Sequence, residues 1–423
     1  MAEDGEAGGG GRRCCRLASP LEDDDLLAII LLRLPPRPSS LPRASLVCKR
    51  WRRVASDPYI LGRVAAHHRR PPLLGFFSTD RMLSGNIYFT PTLDPPDRIP
   101  LARFFLRLDE GSRILGCRHG RVLLVDRGLL VVWAPVTGDH RCVAVPPPFR
   151  GMERFLNGAV VCAAGDQGHV HGVCHSSPFQ VVLVGSGKER IFARVYSSET
   201  GTWGNISILQ GNVLEVTTDR PSTLVGNSIY WLLKGWRRYA ILEFDLERQN
   251  LAVIDVPDAL GQHEFLITPA DSGGLGFLVL SGLTARLWKR EANCDGVSGW
   301  VLRNTVELRS LLSLGQQSSE ERSQTIMGLV EDDNMLLLLI DSDVFMVHLE
   351  SMQFEKLSGK RDHCLCHPFT SFYPADDESS VVKAKLMPPT PRPRPDGYYA
   401  HPPTLASCLL NSSIWLEPYY DEL

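Results

Sequence analysis

Two dissimilar periodicities predict the fold class: a small α-helical domain of three helices, then an all-β domain read as a β-propeller of about six blades. Residues 20–66 are dense in Leu and Arg at helical spacing, whereas residues 73–373 consist of short β-branched and aromatic runs separated by Gly, Asp, Asn and Ser turns. Within that second region a unit of apolar strand, large anchor, polar turn and further strand recurs. The 423-residue length accommodates both parts, and 43% hydrophobic with 22% charged residues excludes wholesale disorder. A net charge of -3 supplies no global attraction for nucleic acid.

Residues 1–19, including Gly8 to Gly11, carry too little apolar bulk to offset ordering entropy and read as a disordered tail. Asp23, Asp24 and Asp25 then favour the N-terminal turn of a first helix, Leu26 to Leu34, which Pro35-Pro36 stops. A second helix starts near Ser40 with Pro42 in its first turn, and cationic Lys49, Arg50, Arg52 and Arg53 suit its C-terminus. Asp57-Pro58 caps and opens a third helix running to about Ala66.

Eight of the nine residues from Leu26 to Leu34 are apolar, so no face of the first helix is left for water. A 47-residue helical segment, 20–66, covers one face with Leu46, Val47, Trp51 and Val54, but a domain so small has little else to offer. The remaining face calls for another protein or the β domain. Four or five buried Leu/Ile side chains at roughly 1.5–3 kcal/mol each suffice for a stable partner.

The residues Leu26-Leu27, Leu31-Leu32-Arg33-Leu34-Pro35-Pro36, Val47-Cys48-Lys49-Arg50-Trp51 and Ser56-Asp57-Pro58 occur in the order and at the separations of an F-box, which this segment resembles. The resemblance implies binding to a Skp-type adaptor and, through it, a cullin-RING ubiquitin ligase. It implies adaptor contacts from Leu26, Ile30, Leu34, Pro35, Leu46, Val47 and Cys48, with Trp51 locking the second helix. Where the family commonly has a glutamate in the first helix, Ile29 adds apolar surface.

In the β region the anchors Trp133, Tyr196, Phe244, Trp288 and Val347 recur at intervals of 63, 48, 44 and 59 residues. That loose period and the 303 residues of 71–373 fit about six propeller blades, with a seven-bladed ring or an irregular sandwich as alternatives. With Leu73-Leu74-Gly75-Phe76-Phe77, Gly116-Cys117-Arg118-His119-Gly120 and Pro146-Pro147-Pro148-Phe149, the whole arrangement resembles grass F-box proteins with an associated propeller-like domain. Residues 374–423, with Asp376-Asp377-Glu378 and the Pro-rich run Pro388 to Pro395, read as a mostly disordered tail, a spacer or a ligand for an SH3 or WW module.

No catalytic, cofactor or metal residue is expected. Gly185-Ser186-Gly187-Lys188 lacks the spacing and the Ser/Thr of a phosphate loop and reads as a turn between strands. His363-Cys364-Leu365-Cys366-His367 alternates on an extended strand, so the four side chains cannot converge. In His169-Val170-His171-Gly172-Val173-Cys174-His175, His169 and His171 can share a face, but no third ligand is identifiable. Eleven irregularly spaced cysteines, with no apolar run after Met1, point to reduced thiols and a place in the cytosol or nucleus. The longest apolar runs, Leu26 to Leu32 and Met335 to Ile340, fall far below the ~18–20 residues that cross a bilayer.

The expected function is that of the substrate-receptor subunit of a Skp-cullin-F-box ubiquitin ligase: it performs no covalent chemistry and presents an unknown target on the β domain. A propeller-type hydrolase is one alternative and predicts a polar central pocket with perturbed carboxylates. A nucleic-acid binder is the other, resting on ten Lys/Arg against one acid in residues 33–70.

Overall fold

The computed structural model describes residues 23–373, except 80–86, 100–103, 105, 107–111, 152–154, 165–168, 188, 212–213, 237, 258–263, 271–272, 293–295, 312–323 and 358–365. The tails assigned to 1–19 and 374–423 therefore lie outside the described residues, as does most of the His363 to His367 run.

Helix α1 (Asp24–Leu32) is capped by Asp23, whose carboxylate accepts from the Asp25 and Leu26 amides at 2.8 and 3.3 Å. The expected second helix is in fact two, α2 (Ser40–Ser45) and α3 (Lys49–Ala55). The break has a local cause: the Ser45 hydroxyl donates back to Pro42 O at 2.6 Å, and the Leu46 and Val47 amides donate three residues back. These contacts tighten the last turn, and Cys48 is fully extended at φ −164°. Lys49 and Arg50 consequently open α3 instead of closing a longer helix. Asp57 caps α4 (Pro58–His68), with Pro58 at its first position. Leu27, Ala28 and Leu31 of α1 meet Leu41 and Ala44 of α2, Val54 and Ala55 of α3, and Ile60 and Val64 of α4 in one small core.

The β domain is a closed ring of six sheets. In chain order the strands are β1 (Leu73–Thr79) and β2 (Ile87–Pro91), then the blade β3 (Arg113–Arg118), β4 (Arg121–Asp126), β5 (Leu129–Ala134) and β6 (Asp139–Ala144). The next blade holds β7 (Leu156–Cys162), β8 (Phe179–Gly187), β9 (Arg190–Ser197) and β10 (Thr202–Gln210). In the one after it, β11 (Glu215–Val216) and β12 (Thr223–Val225) share the edge of β13 (Ser228–Lys234), followed by β14 (Tyr239–Asp245) and β15 (Asn250–Asp255). Two regular blades complete the set: β16 (Glu264–Ala270), β17 (Gly274–Ser281), β18 (Thr284–Ala292), β19 (Ser298–Glu307); and, after the short α5 (Leu308–Leu311), β20 (Gln324–Val330), β21 (Met335–Ile340), β22 (Asp343–His348), β23 (Phe354–Leu357).

The last strand, β24 (Cys366–Thr370), returns to pair antiparallel with β1, with Phe77 opposite His367. Hydrogen bonds thus join the two ends of the β domain, and β24 takes the innermost position between β3 and β20. Each neighbouring pair of blades is bonded by its own apolar cluster, for example Phe77, Phe89, Val131 and Trp133 at one seam and Phe76, Leu337 and Val344 at the seam that completes the circle. The recurring anchors Trp133, Tyr196, Phe244, Trp288 and Val347 all occupy the third strand of a blade, β5, β9, β14, β18 and β22. Gly185 to Gly187 belongs to strand β8 and not to a turn, and the Ser186 hydroxyl accepts from the Val216 amide at 2.7 Å.

At the closing sheet Gly75 admits no side chain, since a Cβ there would stand 2.3 Å from Thr90 O and 2.5 Å from the Phe89 ring. Gly75→Ala should therefore cost about 3 kcal/mol by forcing β1 and β2 apart. A lowered urea midpoint would show it, and an unchanged midpoint would refute this account of the closure.

Candidate functional site

Because α1 buries Leu27, Ala28 and Leu31, the rest of its apolar residues point outward: Leu26, Ile29 and Ile30 remain 42%, 40% and 38% exposed. Their spacing of three and four residues makes one stripe along the helix. A second exposed apolar group, Leu46 at 74% and Val47 at 62%, occupies the connection between α2 and α3 with exposed Cys48. Pro35 is exposed as well, whereas Leu34 and Trp51 are half-buried and packed against the helical core. The eight residues named from sequence thus divide into six at the surface and two that support it.

The outward stripe is held in place by charge. Arg50 Nε and Arg53 Nη2 reach the Asp24 carboxylate at 2.7 and 2.5 Å, tying the start of α1 to α3. The hydrogen bonds from Arg53 and then Arg50 hold the Asp24 carboxyl below its ordinary range. Other members of the basic stretch are similarly engaged: Arg37 lies 3.6 Å from Asp97, Arg70 lies 3.6 Å from Asp333, and Arg63 stands over the Tyr59 ring. Three carboxylates, Asp24, Asp97 and Asp333, thus lie against four of the ten cations of this stretch.

The helices are docked on the ring. The Ser39 amide and hydroxyl both donate to the Asp97 carboxylate, at 3.1 and 2.6 Å. Beside that contact lies a largely apolar cavity of about 250 Å³, walled by Leu34, Pro36 and Leu61 from the helices and Val173, His175 and Phe372 from the β domain.

The axis of the ring is narrow, enclosing a cavity of only about 40 Å³ among the inner strands. Arg118 spans it, donating through Nε and Nη2 to the two Glu331 oxygens at 2.7 and 2.6 Å and through Nη2 to Ser222 O at 3.0 Å. Glu331 also accepts from the Leu224 amide at 3.2 Å. Burial raises the Asp332 carboxyl above its usual range, and Thr370 donates to it. One carboxyl perturbed by burial, that of Asp332, therefore lies at this cavity, but the space is well below the ~300 Å³ at which substrate pockets begin.

The expectation that His169 and His171 stand without further ligands does not hold. Cys162, at the end of β7, and Cys174 join them, and the ligand atoms of all four lie within 4.8 Å of one another. Cys162 Sγ is 3.3 Å from His169 Nε2, which is 3.3 Å from Cys174 Sγ, and that sulfur is 3.5 Å from His171 Nδ1. The Cys174 thiol donates toward Cys162, which holds Cys162 below the usual thiol range and Cys174 above it. The only sequence signal for this cluster was the density of Cys and His within 162–175; pairing Cys162 with the rest required the fold.

The described residues thus form a six-bladed propeller carrying a four-helix module with an exposed apolar stripe. The family described as "F-box protein AT5G49610-like, beta-propeller" matches residues 113–376, and an F-box-like family matches residues 24–65. The chain belongs to this family of F-box proteins with a β-propeller. No curated protein matches it. Among solved structures it is similar to the Dos1 propeller, at 7% identity and a TM-score of 0.35 over 72% of this chain and 76% of that one. Oligopeptidase B from Trypanosoma brucei is similar at 8% identity and a TM-score of 0.34, over 73% of this chain and 42% of that one.

Proposed function

We propose that the protein is the substrate receptor of a Skp-cullin-F-box ubiquitin ligase, in which the helical module binds a Skp-type adaptor and the propeller binds a target protein. The observation that carries this reading is the outward stripe Leu26, Ile29 and Ile30 on a helix whose other face is already buried. An apolar face of that kind on an F-box-like segment calls for a protein lid. The contribution of the chain is geometric: holding a target lysine near a charged ubiquitin carrier raises its effective concentration, with no catalytic group of its own. The narrow, ion-paired axis supports the non-catalytic reading over a hydrolase. Unbridged thiols at Cys48, Cys117, Cys162 and Cys174 are in keeping with the cytosol or nucleus.

Affinity purification of the full-length chain should bring down a Skp-type adaptor and a cullin in comparable amounts. Proteins captured on the β domain should then be ubiquitinated only when adaptor and cullin are present. Failure to capture any adaptor would refute the proposal.

A further inference from the structure

We infer that Cys162, His169, His171 and Cys174 form a structural zinc site that fixes the 169–175 loop of the propeller beneath the helical module. Two thiolates and two imidazoles are the donor set of a closed tetrahedral zinc centre, and Zn–S of about 2.3 Å with Zn–N of about 2.0–2.1 Å requires donor atoms roughly 3.3–3.8 Å apart. The separations of 3.3, 3.3 and 3.5 Å along the chain of contacts meet that requirement, and all four atoms stay within 4.8 Å of one another. With two thiolates a divalent zinc makes a neutral unit, at a site where Cys174 is buried and Cys162 and His169 are half-buried. The soft sulfur pair favours zinc over magnesium or calcium, which take oxygen ligands.

The surroundings are built as a ligand shell is built. His119 stacks on His171, with ring centroids 3.7 Å apart and planes 13° from parallel, which sets the plane of that imidazole. His119 Nδ1 accepts from the Cys162 amide at 3.1 Å, so the strand end bearing one ligand and the ring that orients another are joined. On the far side the Arg121 guanidinium donates to Cys174 O and, at 2.6 Å, to Ser177 O, anchoring the segment that carries the second sulfur.

Between His171 and Cys174 the chain reverses at Gly172, whose φ of +107° and close neighbours, Phe372 and Pro71 within 2.9 Å of any Cβ, admit only glycine. Gly172 O in turn accepts from the Ser371 hydroxyl and the Phe372 amide, both at 3.1 Å. The loop held by the four ligands is therefore the one that presents Val173 and His175 to the cavity under Leu34 and Leu61. A metal there stiffens the floor on which the helices rest.

Full-length protein, produced with zinc in the medium and purified without chelator, should contain about one zinc per chain by plasma mass spectrometry. Cys162→Ser with Cys174→Ser should reduce this to about a tenth or less. Since those variants could unfold, the wild-type chain provides an independent reading. After chelation, reloading with cobalt should give the intense visible bands of tetrahedral cobalt with a thiolate charge-transfer band, and zinc should displace both. A wild-type chain that holds under about a tenth of an equivalent after reloading would overturn the assignment, as would cobalt bound without the thiolate band. So would zinc content unchanged in the double variant, or a Cys162–Cys174 disulfide in freshly purified protein.

Discussion

Leu26→Asp combined with Ile30→Asp should abolish adaptor capture while leaving the fold intact. Both side chains lie on the open face of α1, about two-fifths exposed, so water still solvates the new carboxylates in the free chain. In the complex they would be buried without partners, and the apolar contact would be lost as well. At roughly 1.5–3 kcal/mol for each lost side chain, the dissociation constant should rise about 100-fold or more. Titration calorimetry against a purified Skp-type adaptor measures it, and circular dichroism checks the fold. Leu27→Asp is the contrasting control: Leu27 is wholly buried, so that change should unfold the helical module itself. Binding within about threefold of wild type in the folded double variant would refute the role of the stripe. Leu34 and Trp51 are less suitable for this test, because both pack on the helical core and a loss of binding would be confounded with a loss of structure.

At the propeller axis, Glu331→Leu should be among the most destabilising single changes in the ring. It would leave the Arg118 guanidinium, whose side chain is 7% exposed, without its carboxylate and deprive the Leu224 amide of an acceptor. Breaking one partner of a buried pair costs about 3–5 kcal/mol, which for a domain of this size lowers the melting temperature by something on the order of 10 °C. Arg118→Leu together with Glu331→Leu should recover most of that loss, because the double variant no longer strands the Arg118 guanidinium. Thermal unfolding of the three proteins distinguishes the outcomes. If the double variant is no more stable than Glu331→Leu alone, the pair contributes through packing and not through charge compensation.

Asp23 before α1 and Asp57-Pro58 before α4 are signals carried within four residues, and both helices begin where those signals place them. The third strands of five blades were visible for the same reason, since each joins an apolar run to a polar turn in a single stretch. The split of the second helix was missed because a hydroxyl bond from Ser45 to Pro42 and the extended Cys48 outweigh the helical preference of the residues around them.

Composition and periodicity alone determined that an all-apolar helix had to precede a β domain of repeated sheets, because both follow from side-chain spacing over short distances. Which face of that helix is buried was settled by α3 and α4 and by the Asp24 ion pairs, none of which the apolar run Leu26 to Leu32 can specify. The closure of the ring, joining residues 73–91 to 366–370, and the convergence of Cys162 on His169, His171 and Cys174 likewise depend on chain paths that meet only in three dimensions. A sequence displays what neighbours along the chain prefer. Contacts between distant segments, and the residues those contacts leave exposed, exist only once the sheets have closed.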